Sequence, residues 1–289
     1  MPSFSDKKQL KFIITVNADK VVLTGFRASV DVDKAAGMIA GTLRAKIYGV
    51  RESDMHSITT LALQSAKYAE MQWQPNQIDV FAVEGATETL VFQGNIVNAW
   101  ADYAGMPDVF LNIHAQAAYR YSIAPATPKS YNGTIDVATV MAILANDMGL
   151  KFERNDVSVP LSNVYLANTA LEQAKTLANA AGITMVIDDD VLAICYTNHS
   201  RKTPEPPLIS LGTGLVGYPT IDVAGVTMQC LFDPAIRFMH QFQLVSDQVR
   251  ASGLWVATCV SLRLDSEKPG GGWFMVVRGN FDGTPYVGR

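Results

Sequence analysis

The sequence has little cysteine, little charge and no long apolar run, and each shortage removes a class of protein. Its three cysteines, Cys195, Cys230 and Cys259, are an odd number at wide spacing, without a CxxC pair. A disulfide framework or zinc site needs pairs or close clusters, so these read as small buried hydrophobes in a reducing compartment. No stretch reaches the roughly 18 consecutive apolar residues of a membrane-spanning helix. The first twenty residues carry lysines but only a short apolar run, broken by Asn17 and Asp19, which does not make a signal peptide. Nor is any segment strongly basic. Residues 1–123 hold 11 basic against 12 acidic side chains, 124–200 hold 4 against 8, and 201–289 hold 8 against 7. Nucleic-acid binding through a basic face therefore finds no support.

Catalytic signatures are also missing. The histidines His56, His114, His199 and His240 are dispersed, there is no HExxH, and no serine lies in GxSxG. Gly212–Gly217 spells GxGxxG, but a dinucleotide site needs a strand before it and a helix opening after it. Here a proline-rich stretch precedes it and Pro219 comes soon after, so a loop leading into a β-region is the better reading. Asp188-Asp189-Asp190 lacks the spaced ligands of a calcium loop and reads as a charged hairpin turn. Gly270-Gly271-Gly272 lacks the Lys-Ser/Thr of a phosphate loop, and Trp255 and Trp273 read as core or interface aromatics. The expectation is a chain with no catalytic residue, no cofactor and no metal.

What is present is a globular composition: 289 residues, 48% hydrophobic and 17% charged, with a formal net charge of −4. The first ~115 residues read mostly as strands. Leu10–Val16 and Val21–Phe26 flank the polar turn Asn17-Ala18-Asp19-Lys20, a hairpin pattern. Thr42–Tyr48 alternates, with Leu43, Ala45 and Ile47 on one face. Ser53 reads as an N-cap before Met55, Ile58, Leu61 and Ala62 at helical spacing. Further strand-like runs lie at Ile78–Val83, Thr89–Trp100 and Val109–His114, suggesting a β-barrel or sandwich.

The composition then shifts. Ala124 through Gly133 reads as a turn-rich connector, and Thr134 as the cap of a helix with the stripe Val137, Val140, Met141, Leu144 and Met148, ended by Gly149. A second helix starts at the capping-box pattern Thr169-Ala170-Leu171-Glu172 and ends at Gly182. Strands Ile183–Ile187 and Val191–Cys195 complete a small α+β domain. Arg201–Pro207 reads as a stiff, extended linker. The remainder is strand-rich again, at Val226–Phe232, Phe242–Val245, Leu254–Leu264 and Trp273–Arg278. The predicted fold is mainly β with an α+β insert, divided at 1–123, 124–200 and 201–289. Thr42–Tyr48 also resembles Gly225–Leu231 in pattern, which suggests an internal repeat of barrel segments.

Three stretches together resemble the baseplate hub proteins of tailed bacteriophages, those of contractile tails in particular. The most specific is Gly214-Leu215-Val216-Gly217-Tyr218-Pro219-Thr220, followed by Gly225-Val226-Thr227-Met228-Gln229-Cys230-Leu231-Phe232-Asp233-Pro234. The second is Trp255 through Trp273, with Leu264-Asp265-Ser266 and the glycine turn. The third is Leu90–Ile96 with Ala101-Asp102-Tyr103 and Met106-Pro107-Asp108. The resemblance spans roughly residues 8–280. Arg237-Phe238-Met239-His240-Gln241 departs from it, standing where related sequences often have a glycine-containing turn.

The resemblance implies two tail-tube-like β-barrel domains flanking the α+β domain. It also implies a non-enzymatic homotrimer forming a pseudo-sixfold ring in the virion's tail baseplate, made in the host bacterial cytoplasm. The implied partners are the tail tube or a tube-initiator protein and the central spike, with tape measure and baseplate wedge proteins beyond them. DNA is met only in transit, and no segment spans a membrane. Gly217, Tyr218, Pro219, Thr220, Trp255 and Trp273 are the candidate structural and interface residues. Two rival readings stand beside this one: a glycan- or cell-wall-binding β-module, and a nucleotide-dependent enzyme built on Gly212–Gly217.

Overall fold

The computed structural model describes residues 8–16, 19–35, 40–59 and 75–283. The N-terminal region forms β1 (Lys8–Val16), β2 (Asp19–Thr24), β3 (Ala28–Ala35), β4 (Thr42–Tyr48), helix α1 (Glu52–Thr59), β5 (Gln77–Glu84), the long β6 (Thr87–Asp102) and β7 (Phe110–Gln116). The middle region runs α2 (Arg120–Ile123), β8 (Lys129–Asp136), α3 (Val137–Asp147), β9 (Lys151–Glu153), β10 (Pro160–Leu166), α4 (Ala170–Ala181), β11 (Ile183–Asp188) and β12 (Val191–Tyr196). The last region contributes β13 (Leu208–Ile209), β14 (Leu215–Asp222), β15 (Gly225–Leu231), β16 (Gln241–Leu244), the long β17 (Gly253–Ser266) and β18 (Trp273–Asn280).

Period-two alternation builds these strands, because successive side chains point to opposite faces of a sheet. In β1, Leu10, Phe12 and Ile14 are buried; in β4, Leu43, Ala45 and Ile47 are. The strand β3 escapes the sequence reading. Its inward residues are the small Ala28, Val30 and Val32, set between Ser29, Asp31 and Asp33.

Thirteen strands join one sheet, ordered β14-β15-β18-β17-β3-β4-β7-β6-β5-β1-β2, with β16 beside β17 and β13 beside β16. The two terminal regions thus share a sheet, through the antiparallel joint of β17 with β3. Among the described residues the ladder runs from β14 to β2 without returning on itself, so two separately closed barrels are not what the pairing gives.

Within that sheet the same unit occurs twice. The strands β3-β4-β7-β6-β5 are ordered as β14-β15-β18-β17-β16 are. The correspondence extends to register. Ala115 lies opposite both Leu43 and Ile96, as Gly279 lies opposite both Val226 and Ala257. Each long strand then slips at the same point, between Ile96 and Asn98 in β6 and between Ala257 and Cys259 in β17. Such bulges bend and twist a strand at a fixed place, so a shared bulge marks a shared curvature. This register superposes Thr42–Tyr48 on Gly225–Leu231, the pair that the sequence pattern singles out.

The middle region packs α3 and α4 against each other and against β9, β10 and β11. Its two small sheets are β8–β10 and β11-β12-β9. Several local readings shift here. Asp136, not Thr134, caps α3, accepting from the Ala138 amide at 2.7 Å. Thr134 is held opposite Ser162 inside β8, so the chain between Lys129 and Asp136 is strand and not connector. Thr169 caps α4 by accepting from the Glu172 amide, and Gly182 ends it with φ +63°. In α1 the helix begins at Glu52, so Ser53 lies inside it; Met55 and Ile58 are buried, while Leu61 and Ala62 fall outside the described residues. The hairpin of β1 and β2 forms, but Asp19 and Lys20, read as turn, belong to β2 and pair with Val16 and Thr15, and the strand ends at Thr24; Asn17 and Ala18 lie outside the described residues.

Candidate assembly surface

Gly217, Tyr218, Pro219 and Thr220 lie in β14, a strand and not a loop, at one end of the sheet order. A short 3-10 turn at Leu211–Thr213 precedes it. No helix opens after Gly217, which removes the geometry a dinucleotide pyrophosphate needs. The β14–β15 register slips between Val216, opposite Gln229, and Thr220, opposite Thr227. Gly217 occupies that irregularity at φ +69°, a conformation glycine adopts without strain. Pro219 points inward and is buried, whereas the Tyr218 ring is 67% exposed. Proline cannot donate to a ladder, and an outer strand is where a sheet tolerates it. Only β15 pairs with β14 among the described strands. At the turn after it, Val223 is fully exposed.

Trp255 and Trp273 face inward, and what they hold together is intramolecular. The Trp255 indole donates to the Ala251 carbonyl at 2.9 Å and stacks on Phe281 with centroids 4.2 Å apart. Trp273 donates to Glu84 Oε1 at 2.6 Å, so β18 is tied to the end of β5. Phe232 meets its ring edge-on at 6.1 Å.

A charged junction that sequence reading missed lies where the three regions meet. Asp188 ends β11 with its side chain 2% exposed. It receives Lys34 Nζ of β3 at 2.6 Å and Arg201 Nη1 at 2.8 Å, with Arg237 Nη2 at 3.4 Å. Asp189 takes Lys34 at 2.8 Å and also accepts from the Gln93 amide of β6. Arg201, read from sequence as the start of a linker, is fully buried: its Nε reaches Glu153 at 2.9 Å and its Nη1 the Phe238 carbonyl at 3.2 Å. The prolines stiffen the chain only from Pro204 onward.

Burial alone would raise the Asp188 pKa, but the charges of Lys34 and Arg201 outweigh it and hold the carboxyl well below the usual range. The Asp188–Asp190 turn therefore meets its cations within the chain, Asp190 pairing with Lys151. Burial also pushes Cys195 and Cys230 up to about 11 and 12, which keeps both thiols protonated and inert. Arg237–Gln241, the departure from the family pattern, turns at Met239 with φ +64°, so a buried methionine takes the backbone shape glycine favours.

The family described as "Baseplate hub gp41" matches residues 10–257, most of the chain. The chain belongs to the baseplate hub gp41 family. Solved structures with the same fold include two tail proteins and a secretion-system component. A tail protein from Neisseria meningitidis MC58 has a TM-score of 0.61 at 10% identity, covering 95% of this chain and 97% of its own. The 43 kDa tail protein of prophage MuSo2 from Shewanella oneidensis has 0.59 at 12% identity, covering 96% and 97%. The E. coli c3393 protein, described as a type VI secretion component similar to phage T4 tail proteins gp27 and gp5, has 0.57 at 8% identity, covering 90% and 74%. No curated protein matches the chain at the level of sequence. As a baseplate hub protein, the chain is a structural part of a phage tail baseplate. No helix among the described residues is long and apolar enough to cross a membrane.

Proposed function

We propose that this baseplate hub works as a homotrimer, closing into a pseudo-sixfold ring that joins the sixfold tail tube to the threefold central spike and leaves a channel for DNA. The single observation that carries this reading is the repeated five-strand unit. Two units per chain, alike in strand order, register and bulge, give three chains six near-equivalent units. A ring of that kind can present sixfold geometry on one face and threefold geometry on the other.

The outward-facing polar side chains across the β17–β3 joint, some exposed and some half-buried, suit a conduit. Ser261 donates to Asp33 at 2.7 Å, Arg263 lies 3.4 Å from Asp31, and Ser29 donates to Asp265 at 2.5 Å. Charges satisfied within the surface leave few free cations to hold passing phosphates. Tube or tube-initiator protein would bind one face and spike the other, with tape measure and wedge proteins as outer partners.

Native mass with negative-stain images of the same fraction tests the reading. A ring of about 94 kDa, three chains of 31.4 kDa, is the expected result. A monomer that stays monomeric when spike protein is added would overturn it.

A further inference from the structure

We infer that the contact between copies is made by β14 of one chain adding to the open edge of β6 in the next, in the register of the joint that β17 and β3 make within the chain. The inference rests on the ring reading and supplies its contact surface.

Within the chain, the joint unites the end strand β3 of one unit with the long strand β17 of the other. Their counterparts in the repeat, β14 and β6, have no such mates among the described strands. Along Thr87–Asn95 β6 pairs with β5, and along Asn95–Asp102 with β7, so among the described residues no strand pairs with Asn98–Asp102 on the side away from β7. The outer side of β14 is likewise without a strand among the described residues. Unpaired edges are templates for further pairing. Exposed apolar side chains crowd both: Val97, Tyr103 and Met106 (72% exposed) around the end of β6, and Tyr218, Ile221 and Val223 on and beside β14.

The repeat also fixes the register. Asp31 and Asp33 lie opposite Arg44 and Thr42, as Thr220 and Asp222 lie opposite Thr227 and Gly225. Counting from the shared bulge, Trp100 and Asp102 correspond to Ser261 and Arg263. Since Ser261 faces Asp33 and Arg263 faces Asp31, Trp100 of one copy faces Asp222 of the next, and Asp102 faces Thr220. Ala99 and Ala101 then cover Val223 and Ile221. The two edges differ, so the contact is head-to-tail and passes from copy to copy until the ring closes.

Paired cysteines read this register. On a Cys259→Ser background, Asp102→Cys with Thr220→Cys in one chain is expected to give a ladder of covalently joined chains on mild oxidation. Mixing the two single variants should give joined pairs and nothing larger. Trp100→Cys with Asp222→Cys, one pair along, repeats the measurement should the first substitutions perturb folding. Asp102→Cys with Gln229→Cys, a strand away, should remain unjoined; joining as strong as in the matched pairs would overturn the register. A trimeric native mass without joining in either matched pair would overturn the edge contact while leaving the ring. A chain that stays monomeric with spike protein added, and without joining, would overturn both.

Discussion

His240 sits half-buried at the rim of the charged junction, its Nδ1 3.2 Å from Thr203 Oγ1. Burial, and then the charges of Arg201 and Arg237, lower its pKa from 6.5 to about 4. The folded chain therefore binds fewer protons than the unfolded chain between these values, and stability rises with pH across that window. Below the folded value the contribution is lost. Allowing for partial exposure, the difference is worth about 2 kcal/mol. Urea unfolding of the wild type should show that loss between pH 6.5 and 4, and His240→Gln should flatten it. An equal slope in both proteins would assign the acid sensitivity to other groups. This site also shows what a linear reading can and cannot hold. The Asp188–Asp190 hairpin is visible because turn residues separate two apolar runs, but Lys34 lies 154 residues before Asp188. Nothing near either residue announces the ion pair.

Elements differ in how much of their shape is local. The caps Thr169 and Gly182 and the buried stripe of α4 arise from contacts within a few residues, and the sequence pattern shows them. The strand β14 depends instead on its place in the sheet. Gly217 and Pro219 look like loop residues until an outer strand, with an irregular register and one unpaired side, gives both a place. The strand β3 is hidden for a different reason: three small inward residues give a weak alternation, made firm only by β4 and β17 on either side. A sharper constraint governs the start of β15. Gly225 has φ +115°, and a Cβ there would stand 2.0 Å from the Gly279 carbonyl oxygen of β18. Gly225→Ala should lower the unfolding free energy by about 2–4 kcal/mol. Gly217→Ala, at φ +69° with open space around it, should lose only about 1 kcal/mol. Equal losses in denaturant titrations would contradict this account of the β15–β18 crossing.

Across the molecule, one sheet and one charged junction cross the predicted divisions near 123 and 200. Arg201 carries much of that burden, since Glu153 and Asp188 belong to the middle region and the Phe238 carbonyl to the last. Removing one member of a buried ionic network strands its partners, at about 3 kcal/mol or more. Arg201→Met should therefore lower the urea midpoint and separate the unfolding of the middle region from that of the large sheet. A single transition at an unchanged midpoint would show that Lys34 and Arg237 suffice to hold Asp188. The β17–β3 joint also bears on how assembly responds to dilution. Because both strands belong to one chain, they meet at the effective concentration set by their tether, and no collision is needed. In a closed ring of repeated units, every second contact is then in place once each chain has folded. In the proposed ring, assembly from three ready-made pairs would fall off with dilution far less steeply than assembly from six single units, so carrying two units on one polypeptide would keep the ring closed at lower concentration.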